Sequence, residues 1–224
     1  MSGNKLANFS KLLREKKGLM LCIFLTLTFQ LIVTTLTMKY DYKYQLLEKQ
    51  SLIVVILGIV CLFGLLYLLI LPGIPFVVKQ LLFVIFSVMF GLVLSQSIHA
   101  IKDPKIIEGA AFATLINFAL MFIVGMVIVY MGYDLGWMGV YLLIGLFILI
   151  AVGFIRLFTP ESPMVNKVIS VVSIILFSAF ILYDTNNILL KTTGNGGNDC
   201  IRGGLNYYLD IINIFSNYLD LGKK

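Results

Sequence analysis

Long apolar stretches alternate with short polar segments along almost the whole chain. Each stretch is roughly 20 residues long, and an α-helix of that length, rising ~1.5 Å per residue, crosses the ~30 Å hydrocarbon core of a bilayer. The pattern predicts seven membrane-spanning helices, at residues 18–38, 52–71, 76–101, 106–131, 135–158, 165–190 and 203–221.

The residues outside these stretches are too few to form a second domain. Residues 1–17 form a short polar tail, residues 18–221 the membrane domain, and residues 222–224 a second tail, with polar loops expected at 39–51 and 191–202. The composition is typical of an all-α integral membrane protein, since 60% of the residues are hydrophobic, only 12% are charged and the mean hydropathy is +1.00.

The net charge of +6 does not indicate a nucleic-acid partner. The Lys and Arg residues flank the apolar stretches, where they meet lipid headgroups and set the orientation of the chain. The basic tail favours a cytoplasmic N-terminus. Seven full crossings divide the basic residues almost evenly between the two sides, whereas a re-entrant seventh segment would favour the N-terminal side, so six and seven crossings both remain open.

The three cysteines show no metal-binding or redox spacing. Cys22 and Cys61 lie inside apolar stretches and Cys200 lies in a predicted loop. Without a CxxC or Cys/His pattern they form neither a zinc site nor a disulfide framework, and we expect them to be small buried apolar residues.

The third helix carries small side chains at intervals of four. Ser87, Gly91 and Ser95 therefore share one helix face. Such a face lets a neighbouring backbone approach closely, which predicts a role in packing rather than in chemistry.

The seventh helix differs from the others because polar residues follow one of its faces. Two carboxylates in this stripe cannot comfortably face lipid, since an Asp at mid-bilayer costs roughly 2.5–3.5 kcal/mol on insertion scales. We expect the other helices to surround this one, with the stripe against a partner or an ion path. The stripe consists of Asn206, Asp210, Asn213, Asn217 and Asp220.

Asp184, near the end of the sixth helix, is expected at the same depth as Asp210. The two helices are joined by a short loop, and each Asp lies ~10 Å from the shared end. Two like charges in a low-dielectric site do not both form cheaply, so the carboxyl groups would share a proton near neutral pH. We predict a pH sensor and ion gate that holds Ca²⁺ weakly when doubly ionised. The alternative is that both carboxyl groups only fix helix packing.

Further polar residues extend this prediction. Asn206, Asn213, Asn217 and Asp220 would line an ion path, although polar contacts between helices explain such an Asn ladder equally well. Glu108 would lie at the far mouth of the path, where a simply solvated carboxylate is the alternative.

Three motifs resemble a known family. FILYDTN at 180–186 and YLDIINIF at 208–215 are similar to the signatures of the last two helices of the transmembrane Bax inhibitor motif family. IEGAAF at 107–112 resembles the fourth helix of that family, most closely in its Lifeguard and Golgi anti-apoptotic branch.

The resemblance implies six helices around a central C-terminal one. It also implies a pH-sensitive Ca²⁺ leak that lowers stored Ca²⁺ and inhibits apoptosis, in the Golgi or endoplasmic reticulum, with the paired aspartates of the family at Asp184 and Asp210. Members often carry a basic residue in the second helix that latches the pair, and residues 52–71 contain none. Lys79 and Arg202 are the candidate substitutes.

Two other functions use the same residues. A proton-coupled ion exchanger would have the aspartates as its proton site, but the inverted repeat typical of such transporters is not evident. A non-conducting regulator would bind other membrane proteins of cell-death signalling and use the stripe for packing. No enzyme is expected, since GxSG, HExxH and GxGD-type sites are absent, and no cofactor is expected beyond Ca²⁺ as the transported ion.

Overall fold

The computed structural model describes residues 2–44, 52–99, 101, 103–156, 162–191 and 197–223, and these residues form helices without any strand. This confirms the all-α prediction. In chain order the helices are α1 (Ser2–Tyr44), α2 (Leu52–Ile70), α3 (Phe76–His99), α4 (Pro104–Met131), α5 (Met138–Arg156), α6 (Pro163–Leu190) and α7 (Gly197–Gly222).

Five of these helices, α1, α3, α4, α5 and α6, are long and apolar enough to cross a membrane. A multi-pass membrane protein follows from this. In α2 the corresponding apolar segment is Leu57–Ile70. Helix α7 is 26 residues long but more polar, and between residues 199 and 223 only Arg202 is exposed, as expected of a helix that others surround.

Three predicted helix ends differ widely from the structure, both ends of α1 and the start of α7. Helix α1 includes the predicted tail from Ser2 and part of the predicted 39–51 loop, up to Tyr44. Helix α7 begins at Gly197, inside the predicted 191–202 loop. Sequence patterns locate apolar stretches, whereas helices continue beyond them until a cap or a turn intervenes. The predicted ends at residues 45–51, 157–158, 192–196 and 224 lie outside the described residues.

The ends of α4 show how local residues set these boundaries. The side chain of Asp103 accepts a hydrogen bond from the backbone N–H of Lys105 at 3.0 Å, and Pro104 stands at the first helical position. Gly132 ends the helix with a φ of 91°, a conformation that glycine adopts without strain.

The chain forms two compact units. Unit 1 comprises Met1–Lys17, Asp103–Thr192 and Leu209–Lys224, and unit 2 comprises Gly18–Lys102 and Thr193–Tyr208. Each unit contains part of α1 and part of α7. In unit 1, α4 and α5 both pack against α6, and in unit 2, α2 packs against α3.

In unit 2 the small face of α3 packs closely against α1. A methyl group built on Gly91 would lie only 2.7 Å from the carbonyl oxygen of Thr34, so the close approach predicted for this face is confirmed. The face also carries hydrogen bonds. Ser87 donates to Gln30 at 2.8 Å and Ser95 donates to the buried carboxylate of Asp41. These hydrogen bonds join α3 to α1, in keeping with the predicted packing role.

The cysteine prediction was wrong. Cys22 of α1 and Cys200 of α7 form a disulfide within unit 2, with Cα atoms 5.6 Å apart. Cys61 is free and exposed. The two bonded cysteines are 178 residues apart, and no local spacing records a pairing that depends on helices far apart in the chain.

Replacing Gly91 with Ala should destabilise the protein by about 1–3 kcal/mol, because the added methyl group would push α1 and α3 apart. The matched control is Gly153→Ala, since a methyl group there meets nothing within 4 Å. Thermal unfolding in detergent measures both effects. Equal midpoints for the two variants would contradict the close contact at Gly91.

Candidate functional site

The site begins at the end of α6, where three consecutive polar side chains are buried. Asp184, Thr185 and Asn186 are each at most 5% exposed. Helix α4 approaches them closely, because a methyl group on Gly125 would lie 2.9 Å from Cβ of Thr185. Thr185 in turn donates to the carbonyl of Ile181 at 2.7 Å. The backbone of α4 thus covers the residues beside Asp184.

Asn186 fixes the end of α6 to the turn between α4 and α5. Its Oδ1 accepts from the backbone N–H of Leu135 at 2.9 Å, and its Nδ2 donates to the carbonyl of Tyr133 at 2.8 Å. No separate role was predicted for Asn186. Two signals pointed to it, its place at the end of the FILYDTN motif and its position two residues after Asp184.

An exposed ion pair lies at the same turn. Lys191 Nζ is 3.1 Å from Asp134 Oδ1. The backbone N–H of Gly136 and then Lys191 lower the pKa of Asp134 below its usual value. Surface pairs of this kind contribute little to stability because water and salt screen them.

The structure brings Asp210 and Asp184 into one unit, where the two carboxyl groups interact electrostatically. Asp210 is 3% exposed. Its Oδ2 is buried and accepts no hydrogen bond from the described residues. A buried carboxylate oxygen without a donor is costly unless a proton or a cation neutralises it. We refer to these two residues as the carboxylate pair.

The rest of the α7 stripe is held largely by its own helix. Asn213 donates to the carbonyl of Leu209 at 2.7 Å, and Asn217 donates to the carbonyl of Asn213 at 2.8 Å. Asp220 pairs with Lys223 at 2.6 Å. Asn206 belongs to unit 2. These residues share a helix face with Asp210, but their role in an ion path stays a prediction.

The remaining predicted residues lie elsewhere. Glu108 is exposed on α4 in unit 1. The candidate latch residues Lys79 and Arg202 both belong to unit 2, where Lys79 is buried and the two cations interact electrostatically with each other. Their role as a latch stays a prediction.

The two carboxyl groups supply fewer ligands than Ca²⁺ takes. Ca²⁺ takes six to eight oxygen ligands. Within the described residues no cluster of three or more His, Cys, Asp or Glu side chains forms. The carboxylate pair would hold a Ca²⁺ ion weakly and would need backbone, amide or water oxygens to complete its coordination.

Unit 2 contains a polar network that the sequence analysis missed. Tyr208 OH and Thr34 Oγ1 are 2.7 Å apart, and the Tyr208 ring contacts the rings of Phe83, Phe86 and Phe90. The sequence does contain a signal for this network, because polar residues recur along α1 at intervals of four. They share one face of the helix, which is buried in the structure. They are Thr26, Gln30 and Thr34, and Asp41 follows on the same side seven residues later.

The fold and the site together define a class of protein. It is a helical membrane protein with a buried carboxylate pair, one carboxyl group near the end of α6 and the other inside α7. A family model described as "Inhibitor of apoptosis-promoting Bax1" matches residues 16–221. The chain belongs to the Bax inhibitor-1 family, which confirms the resemblance found in its sequence motifs.

Individual relatives match a smaller part of the chain than the family model does. An uncharacterized protein of Campylobacter jejuni is 36% identical over 140 residues, which cover 61% of this chain and 57% of the relative. The Golgi anti-apoptotic protein of vaccinia virus (strain Lister) is 28% identical over 58% of this chain and 50% of the relative. Protein LIFEGUARD 4 of Arabidopsis thaliana is 26% identical over 62% and 54%. The chain thus spans about half the length of these curated relatives.

Asn186→Ala should destabilise the protein by about 1–3 kcal/mol, because it removes two part-buried hydrogen bonds to the backbone of Tyr133 and Leu135. Asp134→Asn, at the same turn, should change stability little, since its ion pair is exposed.

The small contribution of Asp134 to stability should depend on pH. Because its pKa is lowered in the folded protein, this contribution is complete above the pKa of the unfolded state and is lost as pH falls through the lowered value. Thermal unfolding of both variants at neutral and acidic pH tests this; equal losses at neutral pH would contradict it.

Proposed function

We propose that this protein is a pH-sensitive Ca²⁺ leak of an intracellular membrane, gated by the carboxylate pair. The observation that carries the proposal is the burial of Asp184 and Asp210 together, with one oxygen of Asp210 lacking a hydrogen-bond donor among the described residues. Such a pair favours either a shared proton or a bound cation.

The pair links pH to ion passage by simple electrostatics. Two carboxylates in a low-dielectric site repel each other, so one proton stabilises them at lower pH. When that proton leaves, the doubly negative pair attracts a hard cation with a preference for oxygen ligands, as Ca²⁺ has. The weak donor set lets the ion leave again, which a leak requires.

The physiological role follows from the relatives and belongs to this proposal. The name of the matching family and that of the vaccinia virus relative both refer to the inhibition of apoptosis. A leak that lowers stored Ca²⁺ would restrain cell death in this way, and the Golgi named for the viral relative is one candidate membrane beside the endoplasmic reticulum.

A non-conducting regulator of cell-death signalling is the second candidate. The observation that favours it is that Asn213 and Asn217 bond to carbonyls of their own helix. Side chains whose hydrogen bonds are made within their own helix suit a packing face that binds other membrane proteins. They suit the lining of an open ion path less well.

Asp184→Asn and Asp210→Asn should each change the size or the pH midpoint of Ca²⁺ flux, because each removes one of the two interacting charges. The measurement is Ca²⁺ entry into dye-loaded liposomes that contain the purified protein, over a pH range of ~6 to 8 that brackets neutral pH. Asp134→Asn is the matched control, since it removes an exposed carboxylate from the turn beside α6.

Folding must be checked alongside flux, by size-exclusion elution and by the thermal midpoint in detergent. The proposal requires a flux above that of empty liposomes and a changed pH profile in both pair variants but not in the control. Absence of flux from folded natural protein would contradict the leak and favour the regulator. A flux that depends on an imposed proton gradient would favour a proton-coupled exchanger.

A further inference from the structure

The first half of α7 is fastened to α1 by a series of contacts within unit 2. Cys22 bonds to Cys200, and Thr26 Oγ1 lies 3.5 Å from Cys200 Sγ. A methyl group on Gly204 would lie 3.2 Å from Cγ2 of Thr26. Tyr208 then hydrogen-bonds Thr34. Residue numbers rise together along both helices, so the two helices run parallel here, and we call these contacts the α1–α7 seam.

The disulfide lies at the beginning of the seam, close to one membrane surface. Cys22 is four residues beyond the start of the first apolar stretch at Gly18, which corresponds to ~6 Å of helix. Cys200 is in the first turn of α7. Cys200 is 1% exposed, whereas Cys22 is only half-buried. Cys22 is therefore the more accessible of the two bonded residues.

The charge of the N-terminal segment indicates which compartment this end faces. Lys11, Arg14, Lys16 and Lys17 precede the apolar part of α1 closely, and such clusters remain on the cytoplasmic side. Glutathione and thioredoxin systems keep that compartment reducing, so disulfides there are usually transient and regulatory rather than permanent. Permanent structural disulfides belong to the lumenal or extracellular side.

We propose that Cys22 and Cys200 form a site of reversible thiol–disulfide exchange that fastens and releases the start of α7. The co-reactant is a dithiol. Its thiolate attacks Cys22 Sγ, the Cys22–Cys200 bond breaks, and the Cys200 thiolate takes up a proton. The second thiol of the reductant then attacks the mixed disulfide, which releases Cys22 as a thiol and the reductant as a disulfide. Two electrons and two protons have moved to the protein.

Release at this site affects only the beginning of the seam. Tyr208 stays in place through its bond to Thr34 and through its three Phe neighbours. The proposal does not depend on Ca²⁺ conduction, because its readouts are the oxidation state of two cysteines and the mobility of residues 199–207.

The experiment uses the whole chain in native membranes. Membranes are treated with dithiothreitol or with diamide, quenched with acid, dissolved in SDS and labelled with maleimide-polyethylene glycol. The oxidised protein should carry one label, on Cys61, and the reduced protein three. We expect the protein to shift between one and three labels under these two treatments, and Cys22→Ser to carry two under both.

Two outcomes would overturn the proposal. A natural protein that keeps one label in dithiothreitol before unfolding has a sealed structural disulfide. One that carries three labels even after diamide has no such bond.

Hydrogen exchange in detergent gives the second readout. Amides of residues 199–207 should exchange at least ~10-fold faster after reduction, and those beyond Tyr208 should change little, because local opening follows the loss of local constraints. Cys22→Ser should behave like the reduced natural protein in both redox states, and Cys61→Ser should behave like the natural protein in each state. Unchanged exchange in Cys22→Ser would show that the bond does not hold α7.

Discussion

The absence of water from the bilayer core is the constraint on which this structure depends. Backbone groups satisfy it by forming helices, but polar side chains must find partners inside the protein. In unit 2 those partners are close at hand, since Gln30 and Thr34 of α1 meet Ser87 of α3 and Tyr208 of α7. Small residues such as Gly91 allow this, because they bring the helix backbones near enough for short side chains to bond.

The same constraint explains why the carboxylate pair differs from the rest of the polar interior. Asn213, Asn217 and Thr185 satisfy themselves on carbonyls of their own helices. Asp210 Oδ2 has no N–H or O–H donor among the described residues, and the carboxyl group of Asp184 interacts with Asp210 electrostatically. This arrangement is the one on which the proposed function rests.

Much of the fold was predictable from the sequence, because each helix that crosses a bilayer must be long and apolar. The buried positions of Asp184 and Asp210 were predictable for the same reason, since a carboxylate cannot face lipid. The ends of the helices were harder to predict from the sequence. Helix α1 continues as far as Tyr44 through polar residues that resemble a loop, and Asp41 in this part is buried against Ser95. The Cys22–Cys200 pairing depends on the packing of two helices at opposite ends of the chain, which no local pattern records.

Helix α7 takes part in both units, and its residues divide accordingly. From Cys200 to Tyr208 its contacts are covalent, aromatic and hydrogen-bonded, so this half is an anchor. From Leu209 onward it belongs to unit 1 and carries Asp210. Helix α7 thus combines covalent, aromatic and hydrogen-bonded contacts in its first half with a buried carboxyl group in its second.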